Sequence, residues 1–154
     1  MIMYSEDFFV KLAIFALGVC GFLVARHIYK HKKPNQTPLV CPLKFDCDTV
    51  VHSDYSKIFG VPVEILGMIY YSLLSVSYLF FLLTPDTLHI VLVLVVAILS
   101  MIAFLFSLYL IGVQIFALKK GCFWCYVSAL ICMIIFSLNI FAYDLVSFLE
   151  LLIK

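Results

Sequence analysis

The sequence predicts an all-α membrane protein, a four-transmembrane-helix bundle with an ordered cap loop between the first two helices. Three observations predict it. Apolar residues make up 66% of the chain and charged residues only 12%, whereas ordinary soluble domains are roughly 45–50% apolar. A soluble fold of this length could not bury so much apolar surface, so the solvent must be lipid. The apolar residues also gather into four runs, each reaching the roughly 20 residues needed to cross a hydrocarbon core. Finally, such runs must be helical, because lipid cannot satisfy an open backbone. At 154 residues the chain suits a single domain over 1–154. A net charge of +1 gives no footing for a nucleic-acid partner.

The elements follow in order. The first span runs from about 8 to 29, with Lys11 near its start. It opens acidic (Glu6, Asp7) and no A-x-A-like site follows, so it reads as a helix of the mature protein rather than a cleavable signal. The second span runs from about 61 to 83 and stops at Thr84-Pro85-Asp86. The third, about 88 to 118, is long enough to tilt or to outrun the bilayer. The fourth covers about 122 to 143, and the tail from Asp144 reads as its end or an interfacial turn. Thr84–Thr87 and Lys119–Gly121 are tight turns, so the last three spans run antiparallel as neighbours. The loop over 30–60 is different. It exceeds the roughly 12–15 residues of an ordinary loop, and its cysteines and aromatics are not those of a disordered linker. We read it as an ordered cap with a short helix around Asp54 to Phe59.

Four spans put the first loop and the third turn on one side of the membrane. Cys41 and Cys47 therefore share a face with Cys122 and Cys125. Cys20 and Cys132 lie inside spans. Cys132 is about 15 Å deep at the usual helical rise, where a thiolate is costly, so both read as small apolar fillers. Cys122 and Cys125 stand at i and i+3 at a helix head, within disulfide reach. Free N–H groups and the dipole there favour a thiolate at Cys122, and Lys119 and Lys120 add to it. A low-pKa thiol at the mouth with a drier one a turn deeper suits dithiol exchange. Cys125, nearer the lipid, could meet an apolar electron acceptor. Two other readings compete: inert disulfides, or a structural zinc on four thiolates. C-x5-C is a poor zinc knuckle, and no metal is assigned.

The histidines carry less. His27 and His31 lie in RHIYKHKK, a basic membrane-edge cluster, although their spacing also suits metal ligands. His52 is near enough to Cys47 in sequence to tune a thiol, and His89 opens the third span at the interface. The aromatics, 16% of the chain, suit packing and membrane interfaces and could also floor a quinone pocket.

The stretch CDTVVHSDYSKIFGVPVEILGMIYYSLL (Cys47–Leu74), followed by CFWC, resembles the vitamin K epoxide reductase family, its prokaryotic branch most closely. The ordered set is Cys47, Ser53, Tyr55, Gly60-Val61-Pro62 and Gly67, and the likeness covers about residues 8 to 143. The resemblance implies a capped four-helix bundle binding a quinone (ubiquinone, menaquinone or vitamin K type) beside CxxC. It implies that Cys122 and Cys125 are the catalytic pair, Cys125 facing the quinone and Cys122 exchanging with the cap. Cys41 and Cys47 would be a shuttle pair taking electrons from a reduced thioredoxin-fold partner. Ser53 would help position the cap or quinone. Val63 and Ala129 fall where animal members carry polar quinone-pocket residues. Both are apolar here, which fits plain quinone reduction better than epoxide chemistry. The fifth helix and fused thioredoxin-like domain of many prokaryotic relatives are missing, so the partner is expected to be a separate chain.

Alternative functions are a vitamin K quinone or epoxide reductase using thiols only as reductant, and a non-catalytic membrane subunit braced by disulfides or zinc. The side of the membrane is contested within the sequence. Eight of the ten basic residues lie on the cysteine face (Arg26, Lys30, Lys32, Lys33, Lys44, Lys57, Lys119, Lys120), against Lys11 and Lys154. The positive-inside rule puts that face in the cytoplasm. Disulfide chemistry favours the oxidising outside, and so does the resemblance; an extracytoplasmic face is the expectation.

Overall fold

The structure is a computed structural model that describes residues 2–35, 37–84, 90–142 and 153. Four long helices carry it: α1 (Ile2–Lys32), α3 (Val63–Leu83), α4 (Ile90–Gly112) and α5 (Phe123–Ala142). Each contains a stretch long and apolar enough to cross a membrane, namely Phe8–Lys32, Val63–Leu83, Val91–Leu118 and Phe123–Phe141. The protein is therefore a multi-pass membrane protein. The expected turn residues Pro85–Thr87, His89, and the tail beyond Ala142 as an end or interfacial turn lie outside the described residues.

Helix α1 packs chiefly on α3, and α5 packs on both α4 and α1. Small residues allow the α1–α3 approach. A side chain at Gly21 would strike the Tyr71 ring, so glycine lets the two helices close on each other. The main core gathers Ile14, Tyr71, Leu74, Tyr78, Phe81 and Ile135. Polar groups within it pair with one another, because lipid offers no substitute. Tyr78 donates to Asn139, whose amide donates to Ser100 at 3.3 Å, and Tyr70 donates to Ser100 at 3.4 Å. This chain links α3, α4 and α5. Such bonds contribute about 0.6 kcal/mol each in a membrane, so packing dominates and the network fixes rotation and register.

The cap is ordered, as expected, but its short helix lies elsewhere. Helix α2 covers Cys47–Val51, and only a single 3-10 turn, Asp54–Ser56, falls in the expected stretch. Asp46 explains the start of α2, since its carboxylate accepts the Thr49 N–H at 3.3 Å, the usual N-cap bond. From Lys57 the backbone extends. Strands β1 (Lys57–Ile58) and β2 (Val61–Pro62) pair antiparallel. Phe59 and Gly60 between them have φ of 51° and 83°, as a tight hairpin with two left-handed central residues requires. That hairpin corrects the second span, which begins at Val63 rather than 61.

Two other boundaries move. Helix α1 continues to Lys32, past the expected 29. The third span does not stay α-helical to 118, since Val113–Leu118 widens into a π-helical turn that ends on left-handed Lys119 (φ 52°).

Candidate functional site

The CxxC segment begins where the π-helical turn ends. Gly121 lets the cap come close, because a Cβ there would sit 2.8 Å from the Phe45 ring. Cys122 then caps α5. Its carbonyl accepts the Tyr126 N–H at 3.0 Å, and its sulfur accepts the Cys125 N–H at 3.3 Å. The CxxC spacing thus coincides with the N-cap-to-N3 spacing of a helix start, where backbone donors lack partners. The two sulfurs are 2.6 Å apart, with the Cys125 thiol directed at Cys122.

Cys122 lies just outside the span, and its thiol is held below the ordinary cysteine value. The hydrogen bond from the Cys125 thiol is the largest cause, followed by the Cys125 and Trp124 backbone N–H groups; burial and the Glu64 carboxylate oppose it. The expected contribution of Lys119 and Lys120 is not among these causes. Lys120 is instead engaged with the Asp46 carboxylate at 2.5 Å, joining the cap to the head of α5. That bond holds the exposed Asp46 carboxyl below its usual range.

The cap brings its cysteines to the same point. Cys41 and Cys47 form a disulfide with Cα atoms 6.0 Å apart. The sulfurs of Cys41, Cys47 and Cys122 all lie within 4.8 Å of one another. Cys47 and Cys122 are sealed at 1% and 0% exposure, whereas Cys41 is only partly buried. Leu39, Val50, Val51 and Ile28 build a second small core around them. Each such side chain contributes roughly 1.5–3 kcal/mol when buried, so apolar docking holds the cap more than the exposed Asp46–Lys120 pair does. Phe45 packs on Phe123 and Tyr126, and the Trp124 indole donates to the Val40 carbonyl at 3.4 Å.

Below Cys125 a cavity of about 430 Å³ opens between α3, α4 and α5. Its size and mostly apolar wall are those of a small-molecule site. Val63 and Ala129 line it beside Cys125. Ser53 does not line it, and its hydroxyl donates to the Val50 carbonyl at 2.7 Å within the cap. Cys132 also lines the cavity and hydrogen-bonds the Tyr71 hydroxyl at 3.2 Å, so it is more than an apolar filler. Cys20 is no core filler either, since it is exposed on α1. His52 is exposed and bonded to Asp48 rather than to Cys47: its Nδ1 donates to the Asp48 backbone carbonyl at 2.9 Å and lies 3.4 Å from the Asp48 carboxylate. His31 turns back to the His27 carbonyl at 3.0 Å, and the His27 ring lies 4.6 Å from that of Trp124.

Three residues escaped the sequence reading. Lys32, at the end of α1, bonds both Glu64 oxygens at 3.1 and 3.2 Å and the Ser56 hydroxyl at 3.0 Å. The pair is 10% and 5% exposed. Glu64 lines the cavity, as does Gln114 of the π-helical turn. Gln114 accepts the Cys122 N–H at 3.0 Å on its side-chain oxygen. The signal was available: polar or ionisable residues inside an apolar span are functional candidates by default.

Comparison with known proteins agrees with this geometry. The family model for the vitamin K epoxide reductase family matches residues 8–140. A search of curated proteins finds no match. The family match takes in both cysteine pairs and all four spans, and on that basis the chain belongs to the vitamin K epoxide reductase family of membrane oxidoreductases.

Proposed function

We propose that the protein moves two electrons from the dithiol of a separate thioredoxin-fold protein to a membrane quinone, leaving a disulfide in that partner. The observation that carries this reading is the junction of three sulfurs within 4.8 Å, next to a fourth that borders an apolar cavity. A partner thiolate attacks Cys41, the accessible member of its pair, and releases the Cys47 thiolate. Cys47 attacks Cys122 of an oxidised Cys122–Cys125 pair and releases the Cys125 thiolate. The partner's second thiol then frees Cys41 by closing the partner disulfide. Cys41 re-forms its bond to Cys47, which frees Cys122. Each step exchanges one disulfide for another, and the sum is a reduced CxxC and an oxidised partner.

A quinone fits the wall of the cavity in size and polarity, and when bound it accepts two electrons and two protons. Cys125, Val63 and Ala129 form its binding surface beside the reduced CxxC. Ubiquinone, menaquinone and vitamin K-type rings all meet this description. Val63 and Ala129 bring no polar group, which supports plain quinone reduction over epoxide chemistry. Ser53 acts at a distance, holding the turn that follows Cys47. The cysteine face lies outside the cytoplasm, where oxidised partners persist.

The test is a serine at Cys122 or at Cys125. Each variant should lose quinone-coupled oxidation of a reduced thioredoxin-fold protein while keeping its fold. Full activity in either one would rule out the relay.

A further inference from the structure

We propose that Gln114 is the hydrogen-bond donor that fixes a quinone carbonyl in the cavity, and that it couples that carbonyl to the position of Cys122. The inference rests on the quinone reading above and adds the group that orients the ring. Gln114 is 4% exposed, so its amide lies away from bulk water. Its oxygen is taken, accepting the Cys122 N–H at 3.0 Å. That bond also decides which end of the amide is the nitrogen. The Nε2 group carries two N–H bonds and has no partner among the described residues. It is not sealed in packing either, since the one sealed, unpaired side-chain polar atom among those residues is Ser75 Oγ. Gln114 lines the cavity, and the cavity is the space left for that donor.

Of the other polar groups of the wall, the Tyr70 and Tyr71 hydroxyls and the Glu64 carboxylate are engaged. The Tyr71 hydroxyl is held by Ser128 and Cys132, and the Tyr70 hydroxyl by Ser100. Glu64 can only accept as a carboxylate, and Lys32 occupies both its oxygens. Ser107 lies beside the Cys132 thiol. Val63 and Ala129 have nothing to donate. A quinone carbonyl is a pure acceptor, so it needs a donor, and a buried donor without an acceptor is costly in turn. The local backbone suits the role. The π-helical turn Val113–Leu118 carries Gln114, and its carbonyl accepts N–H groups from Lys119 and Lys120. Such turns are frequent at functional sites.

The chain's single tryptophan, Trp124, stands between the two cysteines and reports on ligands by quenching. Fully oxidised protein in detergent would be titrated with menadione, a naphthoquinone without a long tail. Oxidised CxxC cannot reduce it, and recovery of the signal on dilution separates binding from thiol addition at Cys132. Methylnaphthalene has the same ring and no carbonyl oxygens, and would be measured by competition. Gln114→Met removes both bonds. Gln114→Glu, in alkaline buffer where the carboxylate carries no proton, keeps the acceptor for the Cys122 N–H and loses the donor. Both variants should weaken menadione about three- to ten-fold, the range of one neutral hydrogen bond. Methylnaphthalene should bind wild type and Gln114→Met alike. Menadione held equally by wild type and both variants would overturn the donor and leave the quinone site standing. Equal losses for menadione and methylnaphthalene in Gln114→Met would overturn it too, showing a role in cavity shape. No menadione binding to wild type would overturn the quinone reading and this inference together.

Discussion

Cys122 does three jobs with one residue. It caps α5, it stands within 4.8 Å of both cap sulfurs, and it is paired with Cys125. Its lowered pKa means that the thiolate persists to lower pH than at a free cysteine. Cys47 is as sealed as Cys122, which makes these two the pair able to exchange without solvent. A double variant, Cys41→Ser with Cys125→Ser, leaves them without their usual partners. Mild oxidation should then link Cys47 to Cys122, detected by mass spectrometry of the joined peptides. A Cys122 that stays free under those conditions would contradict direct exchange. At this scale the cysteines were legible from spacing and parity alone. Gln114 was marked only as a polar residue inside an apolar run, a signal with no motif to say what it bonds. Its significance comes from the π-helical turn, and no periodicity in the sequence announces that turn.

Among the elements, the tie between α1, the cap and α3 rests on Lys32. The nitrogen bridges Glu64 at the head of α3 to Ser56 in the cap. The pair is nearly sealed, so losing one partner strands a charge. Lys32→Met should cost about 3–5 kcal/mol, seen as a lower unfolding temperature in detergent. Adding Glu64→Leu should recover most of that loss, because a buried pair exchanged for apolar side chains is often neutral. No recovery in the double variant would mean that Lys32 acts through packing alone. The four spans were readable because lipid leaves long apolar runs one solution. Their ends were less so. Val61-Pro62 looks like the start of a helix, but pairing with Lys57–Ile58 draws it into a hairpin. The helix expected at Asp54–Phe59 formed at Cys47–Val51 instead, where Asp46 supplies the cap. Backbone pairing decided the first place and side-chain capping the second.

In the whole molecule, water-facing and lipid-facing chemistry meet at one end of the bundle. The cap and its disulfide form the aqueous side, and the cavity bordered by Cys125 opens among the spans. Four spans fix both cysteine pairs, Cys41/Cys47 and Cys122/Cys125, to one face, as parity required, but parity does not name the face. Basic residues crowd it, against the side that disulfide formation favours. In intact cells, after mild reduction, a membrane-impermeant maleimide should label Cys41. Labelling only after the membrane is opened would place the face in the cytoplasm.

The most direct test of the electron relay is its stoichiometry. Purified protein in detergent would be mixed with a reduced thioredoxin-fold protein and a soluble quinone, with Cys125→Ser as the control. Quinone absorbance and partner thiols would be followed together. One quinone should be reduced for each partner dithiol lost, with neither change in the variant. Partner oxidation without quinone loss, or quinone loss that survives in Cys125→Ser, would contradict the relay.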